Sequence, residues 1–267
     1  MYKRQELTME QIKTKGLILK VLNLNDNDRI FTILTTELGK ITVMAKGIRS
    51  QKNKMFSAMQ LFCLSDFVFE RRTGMYYPVD AQLCESFFDL RNSVEKVAFA
   101  TYVADIVNAI PDEFPIEQPY FSFILNTLYL ASKVDYSKPE GVFALLKLKV
   151  IFEFKTAEEN GYGHSGQKCM GCGCEKDIKY FDFVSGGVIC EKCIENAMNT
   201  DTAKIGDKEH AALKFIQLAD MRKVFSLEAY NSTIYNLSDI SEKYLKYQTE
   251  IAPASLEYFK NLLNFEQ

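Results

Sequence analysis

The sequence has no tryptophan, and only two histidines and six prolines among 267 residues. Without an indole to report on binding, any ligand has to be followed through a label of its own. With only His164 and His210, a Ser-His-Asp or Cys-His nucleophile has little to draw on, and neither residue sits in a recognisable nucleophile context. His164, in the glycine-bounded segment GYGHSG, reads as a solvated or locally hydrogen-bonded histidine. No GxxxxGK[ST] or GxGxxG loop occurs, so nucleotide and dinucleotide binding have no motif to rest on. The carboxylate pairs Glu158-Glu159 and Asp26/Asp28 read as solvated helix ends and turns. These absences argue against an enzyme. Lys and Glu interrupt every apolar run before it reaches the length of a membrane span. The first residues, MYKRQELTMEQIKTK, have no apolar stretch behind them, which argues against a secretory signal. Repeats and low-complexity tracts are missing too, and a Pro/Gly-poor interior argues against a long flexible linker.

One local absence is informative. Between Glu37 and Asp66 the chain has no acidic residue, yet it carries Lys40, Lys46, Arg49, Lys52 and Lys54. Residues 1–80 hold thirteen basic against eight acidic side chains, whereas the remainder is acidic enough to bring the net charge to −3. Such asymmetry points to one region that meets a polyanion and another that faces something else.

Residues 12–86 read as five short strands separated by turn signals: KGLILKVLNL, RIFTILTTE, KITVMAKG, QLFCLSDFVFER and MYYPVDAQLCES. Asn25–Asp28, Gly39 and Thr73-Gly74 supply the turns. Five strands in about 75 residues suit a small closed barrel of OB type, and an SH3-like barrel fits the same periodicity. On the third strand, Lys40, Thr42, Met44 and Lys46 share one face while Ile41, Val43 and Ala45 turn inward. Gly47, Arg49, Lys52 and Lys54 continue into a polar loop, KGIRSQKNK, expected to be flexible and uncompensated by acid. Arg71-Arg72, at a turn end, would extend the same cationic track for a phosphate backbone. The competing reading is a solubilising charged loop. Of the nearby aromatics, Phe31, Phe56, Phe62, Phe67, Phe69, Tyr76 and Tyr77, most are needed to fill so small a barrel, and none is assigned to base stacking.

After residue 90 the period becomes helical. A first helix places Val94, Val97, Ala98, Thr101, Tyr102 and Asp105 along one spacing and ends at Pro111 and Pro115. A second spans about Gln118–Lys133. A third begins with Pro139 in a first-turn position and runs towards Asn160-Gly161, with Phe143, Leu146, Val150, Phe154 and Ala157 as its core face. Helical patterns return from Asp207 onward. The expected order is an α+β multidomain chain: an OB-type barrel over 1–88, a helical domain over 89–166 and 198–267, and an inserted four-cysteine module over 167–197.

That module carries the sharpest signal. Cys169 and Cys172, in CMGC, are followed seventeen residues later by Cys190 and Cys193, in CEKC. This CxxC…CxxC spacing is that of a structural zinc site. Each pair on a tight turn grips one face of a tetrahedral ion, and four thiolates leave no position for water or substrate. Gly171, Gly173, Gly186 and Gly187 are expected to give the turns their backbone freedom. Cys174, a fifth thiol close by, leaves the fourth ligand open. Seven cysteines, four of them at metal spacing, suit the reducing cytoplasm better than a disulfide framework.

Taken in order, GLILKVLNLNDNDRIFTILTTELGKITVMAKGIRSQKNK, FEFKTAEENGYGHSGQKCMGCG and YFDFVSGGVICEKC resemble the RecO family of DNA repair proteins. The resemblance spans nearly the whole chain. It implies an N-terminal OB barrel, a helical domain and a late four-cysteine zinc insertion. It also implies binding of single- and double-stranded DNA, annealing of complementary strands, and action with RecR to load RecA on DNA coated by single-strand binding protein, without enzymatic chemistry, by a monomer at the nucleoid. Carried onto this sequence, the family's basic loop falls on Lys46, Gly47, Arg49, Lys52 and Lys54, and its zinc ligands on Cys169, Cys172, Cys190 and Cys193. The family's Lys/Arg-rich turn near the last helix has no counterpart here, where the chain reads EIAPASLEYF. The alternative is a zinc-containing adaptor that docks other proteins without acting on DNA.

Overall fold

The computed structural model describes residues 11–111, 116–138, 140–196 and 201–264. Residues 1–10 of the expected barrel, Pro115 and Pro139 lie outside the described residues. The chain divides into two compact units, one of residues 1–88 with 107–121, the other of 89–106 with 122–267.

In the first unit, strands β1 (Gln11–Asn23), β2 (Arg29–Thr35), β3 (Gly39–Ala45), β4 (Leu64–Arg72) and β5 (Met75–Glu85) close in the order β1-β2-β3-β5-β4. This order settles the barrel as OB type. β1 serves two neighbours: Gln11–Leu17 pairs with β4 and Gly16–Asn23 with β2. At the overlap lie Gly16 and Leu17, and a Cβ at Gly16 would sit 2.7 Å from Ile33 Cγ2, so that position is closely approached and suits a residue without a side chain. β3 and β5 form the one parallel pair of the barrel, with Val43 beside Tyr76. Thr73 and Gly74 both have positive φ, 45° and 85°, as a two-residue hairpin turn matched to strand twist requires. Ile18, Phe31, Ile33, Val43, Phe67 and Phe69 fill the barrel. Among the aromatics, Phe31, Phe62, Phe67 and Phe69 are buried, whereas Phe56, Tyr76 and Tyr77 are half-exposed.

The second unit is built on helices and a small sheet. Its elements, including two helices, α1 and α2, that run into both units, are α1 (Val94–Ala109), α2 (Gln118–Lys133), α3 (Glu140–Glu159), β6 (Ile178–Asp182), β7 (Gly187–Cys190), the single turn α4 (Glu191–Ile194), β8 (Thr202–Lys204), α5 (Asp207–Leu218), α6 (Asn231–Thr249) and α7 (Ser255–Asn264). The strands lie in the order β7-β6-β8. β8 therefore carries the cysteine module's sheet past the expected boundary at residue 197. Three residues, TAK, are too few to show a strand period.

The central element is α3. A single apolar face was expected, yet from Leu145 to Ala157 every residue except Lys147 is buried. Of the expected face, Phe143 is only half-buried. Neighbours cover α3 on each side: Phe123 of α2 stacks on Phe152 at 5.8 Å, and Phe154 meets Phe181 of β6 and Tyr244 of α6. Burial on all sides takes Lys149 and Glu153 out of water, where an unpaired charge is untenable. They pair at 3.0 Å. Lys149 Nζ also donates to the Ser238 carbonyl at 3.0 Å, and Glu153 accepts from the hydroxyls of Tyr102 on α1 and Ser241 on α6. Burial pushes the Glu153 carboxyl up, against the opposing pull of Lys149, Ser241 and Tyr102.

Of the two readings of His164, the structure shows the hydrogen-bonded one and not the solvated one, with a partner distant in sequence. His164 is 2% exposed, its Nε2 lies 3.0 Å from the Leu213 carbonyl, and its ring sits 4.6 Å from that of Phe154. Burial holds its pKa down at about 4, with the Leu213 carbonyl pulling the other way.

Two predictions follow from this core. Lys149→Met alone should cost about 3–5 kcal/mol, because it strands the Glu153 carboxylate. Lys149→Met with Glu153→Leu should cost less, about 1–3 kcal/mol, since chiefly the Tyr102 hydroxyl then lacks its acceptor. Denaturant melts of the two variants check the order; a double variant worse than the single would contradict it. The second concerns pH. The unfolded chain protonates His164 near pH 6.5 and the folded chain only near 4, so stability is complete above 6.5 and falls on acidification. The loss should reach about 3 kcal/mol by pH 4 and be missing from His164→Gln, as urea titrations of both proteins between pH 4 and 7 would show.

Candidate nucleic-acid interface and metal centre

Strand alternation fixes the cationic face of β3. Ile41, Val43 and Ala45 are buried while Lys40, Thr42 and Met44 face away from the core. Lys40, however, does not offer its charge outward. Its ammonium donates to the carbonyls of Val107 at 3.2 Å, Asn108 at 2.7 Å, and Ile110. These are carbonyls at the end of α1, which have no partner within the helix and carry the negative end of its dipole. Lys40 is a helix-capping residue, which corrects its expected place on the phosphate track.

The segment after β3 is also more tightly held than expected. Gly47 N–H donates to Asp28 Oδ1 at 2.8 Å, Arg49 N–H to the Asn27 carbonyl at 3.2 Å, and Arg49 Nη1 to the Asn25 carbonyl at 2.9 Å. Ile48 and Met59 are fully buried beneath it. Lys54 pairs with Asp80 of β5 at 3.0 Å. The acid missing from the local sequence therefore comes from the β1–β2 turn and from β5. Asp28 is held below the usual carboxylate range by hydrogen bonds from Asn25 and Gly47, with Lys46 adding to the effect. Lys46 and Lys52 are exposed and form no ion pair among the described residues.

Arg71 and Arg72 stand exposed at the end of β4. Their guanidinium groups lie over the rings of Tyr76 and Tyr77, at 5.6 and 5.4 Å from the centroids, and Arg72 also pairs with Glu70 at 2.7 Å. Tyr76 and Asp80 are four residues apart on β5, about 13 Å by strand rise. The hairpin arginines and the Lys46–Lys54 segment thus both border β5, one near its start and one near its middle.

In the cysteine module, backbone geometry draws the thiols together. Cys169 N–H donates to the Cys174 carbonyl and Gly173 N–H to the Cys169 carbonyl, both at 2.8 Å, which curls the first knuckle. The second pair follows β7 directly, with Cys190 at its end and Cys193 in α4. The glycines divide by role. Gly173 and Gly186 have positive φ, 74° and 66°. Gly171 and Gly187 are required for space instead: a Cβ at Gly171 would lie 3.0 Å from Cys193 Sγ, and one at Gly187 would lie 2.6 Å from Met170 Cγ.

The sulfurs of Cys169, Cys172, Cys174 and Cys190 all lie within 4.8 Å of one another. A tetrahedral ion with metal–sulfur bonds of about 2.3 Å has sulfur–sulfur edges of about 3.8 Å. The Cys172 and Cys190 sulfurs are 3.8 Å apart. The cluster is therefore shaped to hold a thiophilic ion, and four thiolates would complete its coordination. Cys193, the fourth ligand expected from spacing, is not in this set but lies beside it: its sulfur is 3.0 Å from where a Gly171 Cβ would sit, and its thiol is pushed up by hydrogen bonds with Cys172, Cys190 and Cys169. Burial pushes the Cys169 thiol up, but N–H groups of Cys190, Cys172 and Gly171 aimed at its sulfur outweigh this and hold it at about 6. The Cys174 thiol is pushed up to about 12 by its bond to Cys172 and by burial. CxxC spacing selects Cys193 and leaves Cys174 as a competitor, whereas the four sulfurs drawn within 4.8 Å of one another include Cys174.

Two family models match the chain in succession: Recombination protein O N terminal over residues 9–87 and Recombination protein O C terminal over residues 91–257. A protein named DNA repair protein RecO from Acetivibrio thermocellus is 33% identical over 95% of this chain and 98% of its own length. Proteins of the same name from Caldicellulosiruptor saccharolyticus and Caldicellulosiruptor bescii are 26% and 27% identical, each over 94% of this chain and 99% of their own. Two matched models in the order barrel then helices, and a relative this similar end to end, place the chain in the RecO family.

Proposed function

We propose that this chain is a non-enzymatic mediator of DNA repair and recombination. It binds single- and double-stranded DNA on the OB barrel, anneals complementary strands at the nucleoid, and with RecR helps to load RecA on DNA coated by single-strand binding protein. What supports the reading is two cationic clusters on a barrel of the RecO family: the fastened segment of Lys46, Arg49, Lys52 and Lys54, which reaches β5 through Lys54, and Arg71 and Arg72 at the β4–β5 hairpin. Annealing needs no covalent step. Cationic side chains neutralise phosphates, release condensed counterions and lower the repulsion between two strands whose bases stay free to pair. Phosphate contacts carry no base information, so binding is indifferent to sequence. The metal held by the cysteine module is Zn²⁺ in a structural role, as a set of thiolate donors with no open position implies.

Contact with about five phosphates gives a log K against log salt slope of about −3.5 on single strands. Lys46→Gln, Lys52→Gln and Arg71→Gln together should flatten that slope by about 2 and weaken binding alike across sequences, measured by anisotropy of labelled oligonucleotides. Lys40→Gln should lower stability and leave the slope unchanged. DNA affinity indifferent to the triple change would favour the adaptor reading, as would failure to speed annealing of complementary strands, bare or coated with single-strand binding protein.

Structural zinc contributes on the order of 10 kcal/mol of binding free energy that is coupled to folding. Chelation should therefore lower the melting temperature and expose the module's thiols to alkylation. Zinc removed with melting unchanged would contradict the structural role.

A further inference from the structure

Five thiols meet where a tetrahedral ion takes four. Cys169, Cys172 and Cys190 are common to both arrangements: with Cys174 their sulfurs form a set within 4.8 Å, and the Cys193 sulfur borders that set, lying with the Cys169 sulfur against the same point, 3.0 and 3.8 Å from where a Gly171 Cβ would sit. The two remaining thiols approach from different elements. Cys174 follows the positive-φ residue Gly173 in the first knuckle, and Cys193 projects from the one-turn helix α4. Cys174 and Cys193 are both partly exposed and Cys172 is exposed, whereas Cys169 and Cys190 are buried. When not bound to metal, Cys174 already has a resting place, its thiol donating to the Lys176 carbonyl at 3.3 Å.

The geometry points to a metal centre with two interchangeable fourth ligands, Cys174 and Cys193. The inference rests on the metal reading of this cluster. In the exchange, a bond from the metal to Cys174 sulfur forms as the bond to Cys193 sulfur breaks. The proton of the arriving thiol passes to the departing thiolate, so the ion keeps four thiolates and its charge balance, and no oxidant or reductant is involved. Two properties follow that a four-cysteine site lacks. The module keeps its ion when one of these two thiols is capped, and the metal has an associative route for leaving to an outside acceptor.

The test uses the full chain loaded with Zn²⁺ or with Co²⁺ as a spectroscopic probe. In the zinc-loaded wild-type protein, limited alkylation with N-ethylmaleimide should label the exposed Cys84 outside the module, and peptide mapping should find the module's own label divided between Cys174 and Cys193, about one module thiol per chain. Cys169, Cys172 and Cys190 should stay protected. Cys174→Ser and Cys193→Ser should each bind one equivalent of Co²⁺ with the thiolate-to-cobalt charge-transfer intensity of four thiolates. Each should also release metal to a chelator several-fold more slowly than wild type. Label confined to one of the two cysteines would overturn the inference, and so would a single variant that falls to three-thiolate intensity. The labelling needs no substitution, so it decides even if a serine variant misfolds. Wild-type protein that takes up neither ion would overturn the metal reading itself, and that outcome is distinct from either of the others.

Discussion

Glu153 and Lys149 face each other where water does not reach, and the helical unit is arranged so that neither is left alone. A helix buried on all sides normally presents apolar residues on all sides. α3 departs from this at Lys149, Glu153, Lys155 and Thr156, and the first two, one turn apart, constrain its neighbours. α6 has to bring Ser238 and Ser241 to the pair, and α1 has to bring the Tyr102 hydroxyl. A shift of one turn in either would leave a buried charge short of partners, at a cost exceeding most packing errors. The pair thus sets the register of three helices at once.

Above that network the cysteine module is held by rings. Phe154 of α3, Phe181 of β6 and Tyr244 of α6 meet at 5.3–6.1 Å, with His164 against Phe154. The Tyr244 hydroxyl donates to the Tyr162 carbonyl at 2.8 Å, and a Cβ at Gly186 would meet that same hydroxyl. The hairpin between β6 and β7 is consequently seated on the helices, and metal binding and helix packing act on a shared element. This explains how a module closed to substrate still bears on the integrity of the unit around it.

Much of this could be read from residues alone, and what could not shares one cause. The five strands follow from period-two alternation, the helices from their longer period, and the metal centre from cysteine spacing, because each signal is local. Lys40 illustrates the limit. Its outward position follows from alternation, but its partners are carbonyls 67–70 residues away that no pattern announces. The same holds for Lys54, whose acid is Asp80, and for Lys149, whose partner Ser238 lies 89 residues away. Cys174 is hidden differently: CxxC spacing selects Cys193, and that Cys174 joins the set shows only in the fold. β8 was lost because three residues cannot display a period.

The basic segment between β3 and β4 arrives at its ligand already ordered. Anchored from below by Ile48 and Met59 and from the side by Asn25, Asn27 and Asp28, it has little conformational entropy left to lose. A disordered arm of equal charge would have to freeze as it bound, and its affinity would carry that cost. Under the proposed function, association with a strand would then be closer to simple ion exchange, in which the entropy gain comes from the displaced cations and the protein itself hardly changes.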